Sequence, residues 1–152
     1  MFDTPIQFIG GIATAAVTVW VLWKGGGPER ATALASLAAF FISPAVQAYG
    51  GLRQPLWGIA AVDAGVLCFV TVLLWRYPRR WLIGAWACEA LTVLCHAAKL
   101  ADATLLGRGY VASLYVLYFG FLAAMAYGAV EAQRLRRSVW DVGAQHVLDD
   151  PL

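Results

Sequence analysis

The sequence predicts an all-α integral membrane protein: a bundle of five transmembrane helices with its N-terminus outside and its C-terminus in the cytoplasm. Hydrophobic residues make up 61% of the 152 positions and charged residues only 13%, a balance typical of membrane proteins. Five apolar runs are each long enough to cross a bilayer. The basic residues cluster beside alternate ends of these runs, which fixes the predicted orientation.

The apolar runs cover residues 6–23, 31–49, 55–75, 81–101 and 109–130. Each approaches the roughly 20 residues that a spanning helix needs. Short segments rich in glycine, proline and charge separate them: GGGPER, GGLRQ, RYPRR and DATLLGR. Because short links join antiparallel neighbours, residues 1–132 form one predicted transmembrane domain, and residues 133–152 form a short cytoplasmic tail.

The basic residues divide unequally between the two predicted sides of the membrane. Eight of them lie in the first loop, the third loop or the region after the last run: Lys24, Arg30, Arg76, Arg79, Arg80, Arg134, Arg136 and Arg137. The opposite side carries Arg53, Lys99 and Arg108. The excess places the first side in the cytoplasm. Trp20, Trp23, Trp75 and Trp81 cluster near that boundary, where indole rings are expected to anchor helices in the interface.

Small residues recur every four positions in the last run, at Gly120, Ala124, Gly128 and Ala132. This spacing lets two helix backbones approach closely, which is how helices associate in lipid. Packing within the bundle is the favoured explanation, and a subunit interface is the alternative.

Three ionisable residues lie where charge is costly. Counting about 1.5 Å per residue from Trp75 and Trp81 places Asp63 and Glu89 near mid-membrane and His96 farther out. Glu89 and His96 share a helix face, and an Asp63–His96 contact is geometrically plausible. Asp63, Glu89 and His96 therefore form a candidate polar network, either a structural element that fixes helix packing or a path for protons or ions. Axial ligation of haem or chlorophyll by His96 is a third, minor possibility.

Lys99 and Asp102 need a different explanation because they lie at the outer end of the fourth run. An i, i+3 pair at a helix end reaches the aqueous interface at little cost. We therefore expect an outer-interface pair without a mechanistic role.

The sequence lacks the familiar signatures of enzymes and of metal sites. It contains no Walker loop, dinucleotide fingerprint, HExxH, GxSxG or CxxCH pattern. Cys68, Cys88 and Cys95 are too widely spaced for a CxxC motif. The expectation is a protein without enzymatic activity, metal or resident cofactor, and without a nucleic-acid partner.

GPER before the second run, PAVQ near its end, Asp63 in the third run, and WRYPRRW followed by a histidine in the fourth together resemble motifs of small polytopic membrane proteins of bacteria that have no established activity. The resemblance implies a bacterial inner membrane and transfers no functional residue.

These observations favour a packing or assembly subunit, bound through the bilayer to itself or to another membrane protein. Almost nothing extends beyond the predicted helices, so their surfaces are the main places to recognise a partner. The alternative is a small oligomeric channel or proton-linked transporter that uses Asp63, Glu89 and His96. A conduit predicts that these side chains line a wet cavity, whereas a scaffold predicts that they pair in a dry interior.

Overall fold

A computed structural model describes residues 5–49, 55–102 and 107–149, and in these segments all regular structure is helical. Five helices follow one another: α1 (Pro5–Lys24), α2 (Gly27–Tyr49), α3 (Pro55–Arg76), α4 (Arg80–Ala101) and α5 (Gly107–Asp149). The all-helical fold and the number of helices agree with the sequence prediction.

Glycine and proline set the breaks between helices. The α1–α2 turn is two residues long, and the backbone N–H of Gly25 donates to the carbonyl of Val21 at 2.7 Å. A side chain on Gly25 would meet Cβ of Glu29 at 2.9 Å, so only glycine lets the two helices approach this closely. Pro78 interrupts the chain between α3 and α4, because proline lacks an N–H and disfavours helical geometry in the preceding residue.

The five helices form a closed ring in chain order. Each packs against its neighbours in sequence, and α5 returns to pack against α1 and, over a smaller area, α2. The most extensive contact joins α4 to α5. The buried core lies at their centre and is built mainly from these apolar side chains: Val21, Val70, Trp81, Leu82, Ala85, Phe121, Leu122, Met125 and Ala129.

Three of the helices are long and apolar enough to cross a membrane: Trp57–Arg76, Arg80–Ala101 and Gly107–Ser138. This finding indicates a membrane protein. Within α1, residues Phe8–Lys24 form a shorter apolar helix. Helix α2 has 23 residues but is less apolar than these three helices, because Glu29 and Arg30 lie near its start. Pro44 lies inside it.

Helix α5 is far longer than the apolar run in the sequence. It has 43 residues, which correspond to about 65 Å at the usual helical rise. A bilayer core is only about 30 Å thick, so a spanning α5 must project well beyond it. The helix continues past Val130 because no proline interrupts the chain before position 151.

The stripe of small residues on α5 faces α4 within the same chain. A side chain on Gly128 would meet the ring of Trp81 at 2.7–2.9 Å, and one on Gly120 would meet Sγ of Cys88 at 3.0 Å. Gly84 of α4 similarly lies opposite Ala124. Ala132, the last member, is also buried. The structure thus places this face at the α4–α5 contact.

The expected tryptophan anchors do not all face outward. Trp75 is 91% exposed and Trp23 is 74% exposed, as an interfacial anchor requires, and Trp20 is also exposed. Trp81 is only 2% exposed, so its prediction as an anchor is wrong. Gly128 provides the space for this indole, which lies inside the bundle where α4 begins.

Candidate functional site

His96 lies at the centre of a buried polar cluster that joins three helices. Its Nε2 is 2.7 Å from Oδ2 of Asp63 on α3, and its Nδ1 is 2.6 Å from the hydroxyl of Tyr110 on α5. His96 is only 1% exposed. A neutral imidazole has one donor and one acceptor nitrogen. With Asp63 ionised, Nε2–H donates to the carboxylate and Nδ1 accepts the proton of the tyrosine hydroxyl.

Glu89 lies two helical turns before His96 and makes no hydrogen bond to any described residue. Its side chain is nevertheless buried, with the residue only 8% exposed. A carboxylate in such a place is costly unless it is protonated, hydrated or paired with a cation. Glu89 is therefore the carboxyl group of this cluster that no hydrogen bond or ion pair with a described residue compensates.

A cavity of about 330 Å³ lies between α3, α4 and α5, and the candidate residues line it together. Its lining comes from α3, α4 and α5: Ile59, Asp63, Glu89, Thr92, His96, Val111, Leu114, Tyr115 and Tyr118. The Asp63–His96 pair and the unpaired Glu89 thus share one space. These side chains line one cavity, and Glu89 is not hydrogen-bonded to a described residue as it would be in a fully paired network.

Polar groups continue from this cavity to α1. The hydroxyl of Tyr118 is hydrogen-bonded to that of Thr14, which also donates to the carbonyl of Gly10 at 2.7 Å. Thr18 lies one turn farther along α1, and its buried hydroxyl has no hydrogen-bond partner in the described part of the chain. Polar side chains therefore connect the cavity to the α1–α5 contact.

The polar groups give way to an apolar layer toward the α1–α2 turn. Val21, Leu82 and Met125 are fully or almost fully buried there and belong to the hydrophobic core. The cavity and this turn are thus separated by closely packed apolar side chains.

Below the apolar layer, the side chain of Glu29 joins the two turns at that end of the bundle. Glu29 is 0% exposed, and its Oε1 accepts the indole N–H of Trp81 at 3.0 Å and a guanidinium N–H of Arg79 at 3.4 Å. Its Oε2 accepts the backbone N–H of Gly26 at 2.9 Å. The last bond has the geometry of half a capping box, in which an acid in the first turn satisfies the N-cap amide.

Arg136 fastens α5 to the same turn. Its guanidinium donates to the carbonyl of Lys24 and, at 3.3 Å, to that of Gly25. These carbonyls lie at the C-terminus of α1, where a cation is also favoured by the helix dipole. The ends of α1 and α3, the starts of α2 and α4, and the basic part of α5 consequently meet at one end of the bundle.

The remaining sequence-predicted residues lie away from the cavity lining. Lys99 is in the last turn of α4, and Asp102 caps that helix through its backbone N–H, which donates to the carbonyl of Ala98 at 2.9 Å. Both are near the α4–α5 link. Both lie at the end of α4, and their role as an outer-interface pair stays a prediction.

The geometry bears on the ligands that His96 could bind. Both ring nitrogens are engaged in hydrogen bonds, so axial ligation of haem or chlorophyll would have to replace one of them. Within the described segments, no group of three His, Cys, Asp or Glu side chains is arranged to hold a metal ion.

The sequence patterns did not identify two tyrosines of the site, Tyr110 and Tyr118, or the hydrogen bonds of Glu29. Tyr110 and Tyr118 are eight residues apart on α5, which places them about 80° apart around the helix, within one broad face. This spacing could have identified them, because tyrosines that share a face of one helix are candidates to hydrogen-bond the polar side chains of a neighbouring helix. The Glu29–Trp81 bond joins positions 52 apart, and no local pattern announces it.

Together, the fold and the site define a small helical membrane protein with a cavity between α3, α4 and α5 that is lined by both apolar and titratable side chains. Comparison with protein families, curated proteins and solved structures finds no match for this chain.

Proposed function

We propose that this chain is a non-enzymatic, proton-linked transport protein that uses the cavity around Glu89. The observation that carries the proposal is the carboxyl group of Glu89, a residue that is 8% exposed: it has no hydrogen-bond partner among the described residues and faces a cavity beside an Asp–His pair. A structural network would be expected to satisfy each of its buried polar groups. Intramembrane titratable groups that line a cavity are typical of ion and proton pathways.

The Asp63–His96–Tyr110 chain provides a second step for proton movement. Imidazole can accept a proton at one nitrogen and release one from the other, and its hydrogen bonds here lead to groups on two different helices. Glu89 lies in the same cavity and can exchange a proton through water with this chain. The closely packed layer around Leu82 and Met125 would have to open or become hydrated during transport.

The proposal includes five spans in a bacterial inner membrane, with the N-terminus outside. The packing of Arg136 on the α1–α2 turn and of Arg79 on Glu29 supports this orientation, because it gathers basic segments at one end of the bundle. Arg53, which the sequence places on the side of the membrane with fewer basic residues, lies outside the described residues. The resemblance to small bacterial membrane proteins favours the location.

The orientation gives a direct prediction. A reporter fused after Leu152 should be active on the cytoplasmic side, because the basic residues near Arg136 resist translocation. Paired fusions of alkaline phosphatase and a fluorescent protein would measure this. A phosphatase-positive, non-fluorescent C-terminal fusion would refute the orientation.

Proton flux tests the function itself. Purified protein would be reconstituted into vesicles containing a pH-sensitive dye, with a potassium diffusion potential to drive protons. Wild-type protein should conduct protons above the rate of empty vesicles. Glu89→Gln should assemble but lose most of this flux, because glutamine retains the shape and cannot carry the proton.

Glu131→Gln is the matched control for removal of a carboxyl group. Glu131 is on α5, outside the cavity lining, and its buried Oε2 has no hydrogen-bond partner in the described chain. Its replacement should leave the flux unchanged. Equal rates for wild type, Glu89→Gln and empty vesicles would reject proton transport.

An assembly subunit, which the sequence favoured, is the second candidate. One observation favours it: Phe8, Ile12 and Val19 form an exposed apolar stripe on α1 that either lipid or another helix could cover. The small-residue face of α5 is occupied by α4, so a partner would bind elsewhere. Purification in mild detergent followed by mass analysis would separate the two candidates, because a subunit predicts a fixed partner of defined stoichiometry.

A further inference from the structure

The charge balance in the cavity defines which ligand it can accept. The titratable side chains that face Glu89 or lie beside it come from three helices: Asp63 on α3, Cys88 and His96 on α4, and Tyr110, Tyr115 and Tyr118 on α5. Among the described residues that line the cavity, none is a lysine or an arginine. With Asp63 ionised, the Asp63–His96 pair carries one negative charge when the imidazole is neutral and none when it is protonated. An ionised Glu89 therefore leaves the cavity negative by one charge or more, which favours a cationic ligand.

The cavity walls suit an organic cation better than a bare metal ion. A hard cation such as Ca²⁺ requires about six to eight oxygen ligands. Ile59, Val111 and Leu114 instead contribute hydrocarbon to this lining. A space of about 330 Å³ is at the lower end of cavities that hold small molecules. An ammonium group attached to a compact apolar body would meet both the carboxylate and the hydrocarbon.

Two aromatic rings strengthen the preference for a cation. Tyr115 and Tyr118 both line the cavity, and the face of a tyrosine ring attracts ammonium groups. The hydroxyl of Thr92 is already directed to the carbonyl of Cys88 at 3.0 Å. Asp63 is paired with His96 through Oδ2, so Glu89 is the carboxyl group of the cavity that has no partner among the described residues.

We infer that the cavity binds a small organic ammonium ion, with Glu89 as its charge partner, in exchange for a proton. In this step the protonated Glu89 releases H⁺ and its carboxylate then pairs with the incoming cation. One positive charge leaves the cavity and one enters, so the charge balances and no covalent bond to carbon changes. The inference rests on the proposed function and names its substrate class.

Benzylammonium is a suitable probe, and benzyl alcohol is its neutral counterpart of nearly equal size. Full-length protein in detergent would be titrated with each by calorimetry, and proton release would be followed with an indicator dye in weakly buffered solution. Wild-type protein should bind benzylammonium, release up to one proton per cation and fail to bind benzyl alcohol comparably. Glu89→Gln should weaken binding by about 10- to 100-fold, because a charged hydrogen bond is lost.

A second variant keeps the test decisive if Glu89→Gln folds poorly. Leu114→Trp should fill the cavity without altering its charge and should also abolish binding, while Glu131→Gln should bind like wild type. Unchanged affinity in folded Leu114→Trp, or equal binding of the alcohol, would overturn the inference. Proton flux without amine binding would reject only this inference. Amine binding without proton flux, in vesicles tested both with and without an amine gradient, would reject the proposed transport and retain the site.

Discussion

Replacement of Gly128 by leucine should destabilise the bundle by about 3 kcal/mol or more, because it forces the most extensive helix contact apart. Even a single carbon at this position would approach the Trp81 ring to 2.7 Å. The ring cannot easily move, since it is 2% exposed and its N–H is bonded to Glu29. Helices α4 and α5 would therefore have to separate.

Gly65→Leu provides the matched control. Gly65 is also helical, on α3, but it is exposed and a side chain there would meet nothing within 4 Å. Thermal unfolding can be followed with a thiol-reactive dye, because Cys88 and Cys95 are only partly accessible in the folded protein. Gly128→Leu should lower the midpoint strongly and Gly65→Leu should barely change it. Equal midpoints would show that the α4–α5 contact does not require glycine.

The helices could be predicted because their information is local. Runs of apolar residues of spanning length, separated by Gly25–Gly27 or Pro78, define each element without knowledge of its neighbours. The end of α5 could not be placed in the same way. Hydrophobicity declines after Val130, but loss of hydrophobicity does not end a helix, and the following residues include good helix formers such as Ala132 and Leu135.

The candidate site could be predicted in part from the sequence, for a related reason. Short links fix α3 and α4 as antiparallel neighbours, so counting residues from their common turn gives similar depths for Asp63 and His96. The structure places these two side chains 2.7 Å apart. Depth does not specify rotation about the axis of α5, which is joined to α4 by a different segment, so Tyr110 could not be assigned as the second partner of His96.

Trp81 shows where local interpretation reaches its limit. An indole beside a basic turn is typical of an interfacial anchor, and Trp75 does have that exposure. Two distant features place Trp81 inside instead: Gly128, which makes room for the ring, and Glu29, which accepts its N–H. Likewise, the N-cap position before Glu29 is occupied by Gly26, so the sequence lacks the serine or threonine by which a capping box is usually detected.

Glu29 and Glu89, the glutamates of the two polar clusters, differ in their hydrogen-bond partners. Glu29 has donors on both of its oxygens, and its contacts join the α1–α2 turn to the start of α4. Glu89 has no such donors among the described residues and faces a cavity. We therefore expect replacement of Glu29 to act on stability and replacement of Glu89 to act on ligand or proton exchange. This contrast allows structural and functional roles to be separated by the same chemical change.

Glu29→Gln should reduce stability by about 2–3 kcal/mol, although it preserves the size of the side chain. A carboxylate accepts at both oxygens, whereas an amide accepts at one and donates at the other. Whichever way the amide turns, its NH₂ group faces either the Gly26 N–H or the N–H groups of Trp81 and Arg79. A buried donor is then left without an acceptor, which accounts for the magnitude.

A double-mutant cycle with Trp81→Phe would isolate the central bond of this cluster. Phenylalanine removes the indole N–H, so the cost of Glu29→Gln should be smaller in the Trp81→Phe background by about 1 kcal/mol or more. The thiol-reactive thermal assay would rank the variants, and denaturant unfolding would supply the free energies. Glu131→Gln is again the control: because its buried Oε2 has no partner in the described chain, the loss of charge there should be neutral or stabilising. Strictly additive effects of Glu29→Gln and Trp81→Phe would contradict the prediction, since two groups that share a hydrogen bond must be energetically coupled.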